Sequence, residues 1–93
     1  MNRNTKIQCK GYLRFIRSKS CLVCAGLVTD AHHLKARGAG SGKQNDFTAV
    51  PLCREHHAKL HQEGYEKFTE FYGNNLWQEA AWLLIEFLAY QTV

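Results

Sequence analysis

Apolar positions recur at helical spacing in the last third of the chain. Leu76, Ala80, Leu83, Leu84, Phe87 and Leu88 predict a helix over 76–91 with this stripe toward the core. Asn74 or Asn75 is placed to cap it, and Gly73 to stop a shorter helix over 65–72. A third helix is predicted over 53–62, ended by Gly64. Upstream, Ile7, Cys9, Leu13 and Ile16 can share one face of a helix over 6–18, with Lys6, Lys10, Arg14 and Arg17 on the other, although Gly11 weakens that helix. Two short apolar runs around Ala25-Gly26 within 22–34 predict strand, knuckle, strand. Residues 35–46 are polar and Gly-rich and predict a loop; 47–50 predict a strand ended by Pro51. Tyr65, Phe68, Phe71, Tyr72, Trp77, Trp82 and Phe87 are assigned to core packing by their spacing.

With 93 residues, 45% of them hydrophobic and 22% charged, the chain reads as one ordinary globular domain. A core this small commonly depends on a metal or on disulfides. The longest apolar run, Ala80 to Tyr90, is interrupted by Glu86 and falls short of the ~20 residues a membrane-spanning helix needs. No long apolar stretch follows the basic first six residues, so no secretory signal is expected, and a cytoplasmic setting with reduced thiols is. Charge is unevenly distributed. Residues 1–60 hold eleven Lys/Arg against Asp30, Asp46 and Glu55, and residues 61–93 hold Lys67 against five Glu. A basic half suggests a polyanionic partner.

Four Cys and five His then change the picture. Cys21 and Cys24 have the two-residue spacing that brings two thiolates to one tetrahedral ion, and Cys53 and His56 repeat it at a helix start. These four read as a structural zinc site, with His57 an alternative to His56 as the fourth ligand. Cys9 has no partner nearby and reads as a plain thiol. His57 and His61 stand at i and i+4 on the predicted helix, so both rings project from one side. His32 and His33 are adjacent on a predicted strand and point to opposite faces. If the knuckle folds that strand against the helix, His32, His57 and His61 can converge on a second metal. His33 can then stand beside it as a general base.

The order Cys-x2-Cys, Asp-Ala-His-His, Asn-Asp, Pro-Leu-Cys-x2-His-His-x3-His over residues 20–65 resembles the HNH nucleases of the ββα-metal, treble-clef type. It is most similar to small phage and prophage HNH proteins of the recombination-enhancement (Ref-type) group. The resemblance implies a small α+β, zinc-stapled fold: a treble-clef/ββα-metal core, an N-terminal helix and a C-terminal helical pair. It implies a DNA endonuclease in which His32 holds a catalytic divalent metal (Mg, Mn, Ni or Zn) with His57 and His61, and His33 activates water. Asp30 would orient a metal-bound His. Asn45 matches the middle position of the motif loosely, and Asp46 is equally well placed. An Asn45 there would fix the loop and the His33 backbone, or simply start an Asx turn. The resemblance further implies a phage- or prophage-encoded protein in a bacterial cytoplasm. Its DNA could be single-stranded or branched, and a recombinase could be a partner.

Lys35, Arg37, Lys43, Arg54 and Lys59 are the candidate phosphate contacts, extended by Lys6, Lys10, Arg14, Arg17 and Lys19. Such contacts predict weak sequence preference and strong salt dependence. Two other classes compete. A zinc-stapled nucleic-acid-binding module without catalysis leaves His32, His33, His57 and His61 unexplained, and a protein-interaction module leaves the basic half unexplained as well.

Overall fold

A computed structural model describes residues 6–35 and 45–91 of the chain. Its elements, in order, are α1 (Lys10–Arg17), β1 (Asp30–His33), a 3-10 turn (Asp46–Thr48), β2 (Ala49–Leu52), α2 (Arg54–Glu63), α3 (Tyr65–Tyr72) and α4 (Leu76–Gln91). The architecture is a small α+β domain. β1 and β2 pair antiparallel, with Asp30 opposite Leu52, Ala31 opposite Pro51, His32 opposite Val50 and His33 opposite Ala49.

This register sorts the side chains. Strand residues alternate between faces, and cross-strand partners share one. Asp30 and His32 therefore lie on the face of Val50 and Leu52, over the core formed with Leu60 of α2, Phe68 of α3, and Leu76 and Ala80 of α4. Ala31 and His33 share the opposite face with Ala49, which joins buried Tyr12 and Ile16 of α1 in a second cluster. Two small cores, one on each side of a two-stranded sheet, separate the two adjacent histidines.

Several predicted boundaries change. The N-terminal helix starts at Lys10, not residue 6, because Ile7 bridges Asn45 and its carbonyl accepts the Asp46 N–H at 3.0 Å. Its core face is Tyr12 and Ile16, with the expected Cys9 and Leu13 and also Phe15 packed against them, while Ile7 takes no part in the cluster. Of the two strands expected within 22–34, only β1 forms. Residues 21–26 close a turn instead: the Cys21 N–H donates to the Gly26 carbonyl at 2.8 Å, and Ala25 takes a positive φ of 61°. Gly26 suits the close quarters, since a Cβ there would stand 3.3 Å from Cys24 Sγ.

The strand expected over 47–50 is a 3-10 turn followed by β2, which continues through Pro51 to Leu52. Pro51 is tolerated because its carbonyl faces away from β1, accepting the Leu22 N–H at 3.2 Å; its nitrogen faces the same way and owes no ladder bond. Helix α2 begins one residue late, with Cys53 as its N-cap, and runs to Glu63 before Gly64 at φ 85°. Helices α3 and α4 have the expected bounds. Against the expected core packing, however, Leu88 and Trp82 of α4 and Phe71 of α3 are exposed. Among the described residues no helix is long and apolar enough to cross a membrane.

Candidate metal centres

The turn at 21–26 and the start of α2 bring Cys21, Cys24, Cys53 and His56 together, their ligand atoms within 4.8 Å of one another. Cys24 Sγ lies 3.8 Å from Cys53 Sγ, Cys21 Sγ 3.7 Å from His56 Nδ1, and Cys53 Sγ 3.2 Å from His56 Nδ1. Two thiolates about 2.3 Å from one tetrahedral zinc stand about 3.8 Å apart, so the donor set and its spacing fit a structural metal such as zinc. His56, not His57, completes this set.

Burial pushes the Cys21 thiol up, but backbone N–H groups of Cys53, Cys24 and Val23 pull it down further, to about 6, so it is a thiolate at neutral pH. Cys24 shifts upward instead: the Gly26 backbone hydrogen bond lowers it, but partial desolvation and the neighbouring Cys53 and Cys21 sulfurs outweigh that. The cluster is braced from outside. The His56 ring meets Tyr72 edge-on at 5.3 Å, and the Asn74 side-chain amide donates to the Leu22 carbonyl at 3.2 Å.

One residue further along α2, His57 turns to the other side. Its ring and those of His32 and His61 form a triangle with centroids 4.8 to 5.0 Å apart, and their ligand nitrogens lie within 4.8 Å. Asp30 Oδ2 takes the Nδ1–H of His57 at 3.1 Å, which leaves His57 Nε2 as the lone-pair nitrogen. That bond to His57 is the main reason the Asp30 carboxyl titrates below its usual range; burial opposes it and nearby Arg54 adds to it. His57 Nε2 and His61 Nε2 are 3.1 Å apart, too close for both to carry protons. Burial above all, and then the neighbouring His57, His61 and His33, push His32 down to about 4. Three imidazoles that converge from two elements fit a divalent cation of the nitrogen-preferring kind.

His33, on the far face of β1, does not join this trio. Its Nε2 hydrogen-bonds Asp46 Oδ1 at 2.8 Å, and Asp46 Oδ2 accepts the Cys9 backbone N–H at 2.7 Å. Asp46 is buried and both its oxygens are engaged. Asn45 instead accepts the Phe47 N–H at 2.9 Å, the Asx turn that starts the 3-10 segment. It steadies the loop through the Asn45 carbonyl, Thr48 and the Leu34 carbonyl, and makes no bond to the His33 backbone. Asp46, as well placed in the sequence as Asn45, is the residue that partners His33. The Cys9 N–H, 37 residues away, leaves no mark in the sequence.

Of the candidate phosphate contacts, Lys35, Arg54 and Lys59 are exposed, while Arg37 and Lys43 lie outside the described residues. Arg54 and Lys59 are not free cations. Arg54 reaches Asp30 at 3.4 Å and Lys59 reaches Glu63 at 3.8 Å. Lys19 likewise pairs with Glu86 and lies over the Phe15 ring.

Fold and sites together define a small α+β domain carrying a Cys3His cluster and an adjoining trio of histidines. Residues 2–87 match the family described as Protein of unknown function (DUF968), and the chain belongs to that family. Over 67 residues it is 36% identical to the Uncharacterized protein YdfU of Escherichia coli (strain K12). That match covers 70% of this chain but 19% of the relative, so the chain spans about a fifth of that protein's length. No solved structure gives a significant match.

Proposed function

We propose that this domain is a metal-dependent DNA endonuclease of the HNH, ββα-metal type, acting in phage or prophage DNA processing or recombination within the bacterial cytoplasm. One observation carries this reading. Consecutive residues of α2 serve two different clusters, His56 with three thiols and His57 with His32 and His61, while a carboxylate-anchored His33 stands next to His32 on β1. The element order β1, β2, α2, with a knuckle before it and Cys53 and His56 at the helix start, supports the treble-clef description. A structural zinc alone would leave the second histidine group without a purpose.

The residues divide the chemistry as follows. Asp46 accepts from His33 Nε2, so the basic nitrogen of a neutral His33 is Nδ1. That nitrogen takes a proton from water as the oxygen bonds to phosphorus in line with the leaving 3′-oxygen, whose bond to phosphorus breaks. The resulting ends carry 5′-phosphate and 3′-hydroxyl. His32, His57 and His61 would hold a divalent cation, which would supply charge stabilisation at the phosphate and the leaving oxygen. Asp30 holds the His57 ring in the tautomer that such binding needs. Lys35, Arg54 and Lys59 position the backbone of the strand without reading bases. The surface ion pairs of Arg54 and Lys59 are each worth roughly 0–1 kcal/mol, so a polyanion can displace them.

The test is plasmid nicking near pH 8, where imidazole is neutral, with Mg, Mn, Ni or Zn added. Wild type is compared with His33→Ala and Asp46→Asn. Metal-dependent nicking is expected, with a loss of about 100-fold or more in His33→Ala, the scale of a removed general base. Asp46→Asn should nick more slowly, because an amide cannot accept from both the Cys9 N–H and His33. DNA binding without nicking by wild type, on supercoiled, single-stranded and branched DNA alike, would favour the non-catalytic zinc-stapled binding module. Equal nicking by wild type and His33→Ala would remove His33 from its role.

A further inference from the structure

Leu27 and Val28 are 85% and 87% exposed, the highest values among the large hydrophobic side chains described. They are adjacent, and they are held firmly. The turn before them is closed by Cys21 and Gly26 and braced by the Cys3His cluster. Immediately after them, Thr29 is buried and its hydroxyl lies 2.9 Å from the Lys19 carbonyl and 3.3 Å from the Arg17 carbonyl. The chain then enters β1. Two apolar side chains are thus presented to water between a closed turn and a buried threonine, outside both core clusters. Two exposed arginines belong to the same neighbourhood: Arg17, whose backbone carbonyl meets the Thr29 hydroxyl, and Arg54, which pairs with Asp30 two positions after Val28.

We infer that Leu27 and Val28 form an apolar wedge that inserts at a weakly stacked step of bound DNA. This rests on the nucleic-acid reading above and specifies the class of substrate. An apolar pair in a cationic neighbourhood complements a partner that has an apolar stack beside charged rails. Side chains such as Leu are inserted between base steps by proteins that kink DNA, and the cations hold the phosphates on either side. Burying one Leu and one Val releases free energy of the same order as unstacking one step consumes. The balance therefore tips where stacking is already weak: pyrimidine–purine steps, mismatches, nicks and branch points. His32 lies four positions beyond Val28, at most about 14 Å of chain, so the opened step lies within about four base pairs of the phosphate at the histidine trio.

The test uses duplexes with 2-aminopurine at a fully paired site, a T–A step or a G·T mismatch, and the zinc-loaded protein without further divalent metal. Wild type is expected to raise 2-aminopurine fluorescence on binding and to prefer the mismatched duplex by about tenfold. Leu27→Ser/Val28→Ser changes only exposed side chains. It should keep the wild-type zinc content and melting temperature, bind the fully paired duplex within about threefold, and lose both the fluorescence rise and the preference. A wild type that binds DNA without any rise, or a double variant that gives the same rise, overturns the wedge while leaving the nuclease reading intact. A wild type that binds none of the duplexes overturns both. Self-association or capture of a purified protein partner through the pair, abolished by the double substitution while the DNA signals persist, assigns the tip to a protein interface and overturns the wedge.

Discussion

Tyr12 shows how a single residue can be placed for packing at the expense of its polar group. Its ring is fully buried against Phe47 at 5.1 Å and Phe87 at 5.0 Å, and its hydroxyl has no hydrogen-bond partner among the described residues. Burial pushes its ionisation from 10.0 up to about 12. The fold therefore favours the neutral phenol. The corresponding stability is complete below about pH 10 and is lost as pH rises from about 10 to about 12. Tyr12→Phe removes an unpaired polar atom and keeps the ring. It should be neutral or stabilising by up to about 1 kcal/mol at pH 8, and should resist alkaline unfolding better than wild type. Urea midpoints at pH 8 and pH 11 check both statements; a loss at pH 8 above about 1 kcal/mol would mean that the hydroxyl has a partner after all. His56 and His57 teach a related lesson. Both were candidates for one ligand position, and each now serves a different cluster, because successive helix positions point about 100° apart.

At the scale of elements, α4 and α1 contrast. The bounds of α4 follow from local signals: Asn75 Oδ1 accepts the Gln78 N–H at 3.0 Å, an N-cap that the sequence offered at either Asn74 or Asn75. Asn74 was released to hold Leu22 instead. Asn75→Ala should cost about 1 kcal/mol, a fall in melting temperature of about 4–8 °C for a domain of this size, without altering metal content. A melting temperature within about 1 °C of wild type would deny the cap its role. The α1 boundary was not local. Residues 6–9 are compatible with helix on their own, but Ile7 and Cys9 meet Asn45 and Asp46, and that meeting keeps the segment extended. Pro51 behaves likewise: a proline that ends a strand in isolation sits comfortably within one whose outer edge is turned to the knuckle.

At the scale of the whole molecule, two small clusters of buried residues flank a two-stranded sheet, a modest core for a chain of this length. The Cys3His cluster ties the 21–26 turn to α2, and Tyr72 and Asn74 tie that unit to the C-terminal helices. Structural zinc sites bind with roughly 10–16 kcal/mol in small peptides, as much as the 5–15 kcal/mol that ordinarily holds a whole domain folded. Chelation by a strong zinc ligand should therefore unfold the chain, seen as loss of far-UV circular dichroism and restored by added zinc, and Cys53→Ser should have the same effect. Retention of a cooperative thermal transition after complete metal removal would show that the cores suffice alone. His32→Gln offers the contrast, since it leaves the Cys3His set intact and should preserve the fold.

What could be read from the sequence was whatever depends on neighbours a few positions apart. Cys-x2-Cys, Cys-x2-His and the His57/His61 pair at one helical turn report ligand geometry directly, since short spacings fix the distances between side chains. The lengths of α3 and α4 follow from caps and glycines in the same way. Tertiary structure decided which of two equivalent neighbours takes a partner: His56 over His57 for the thiols, Asp46 over Asn45 for His33, and Leu76 and Ala80 over Leu88 and Trp82 for the core. Each choice depends on segments tens of residues apart meeting with the correct register and face. Periodicity along one strand or helix says that a face exists, and only the arrangement of the other elements says which part of it they cover.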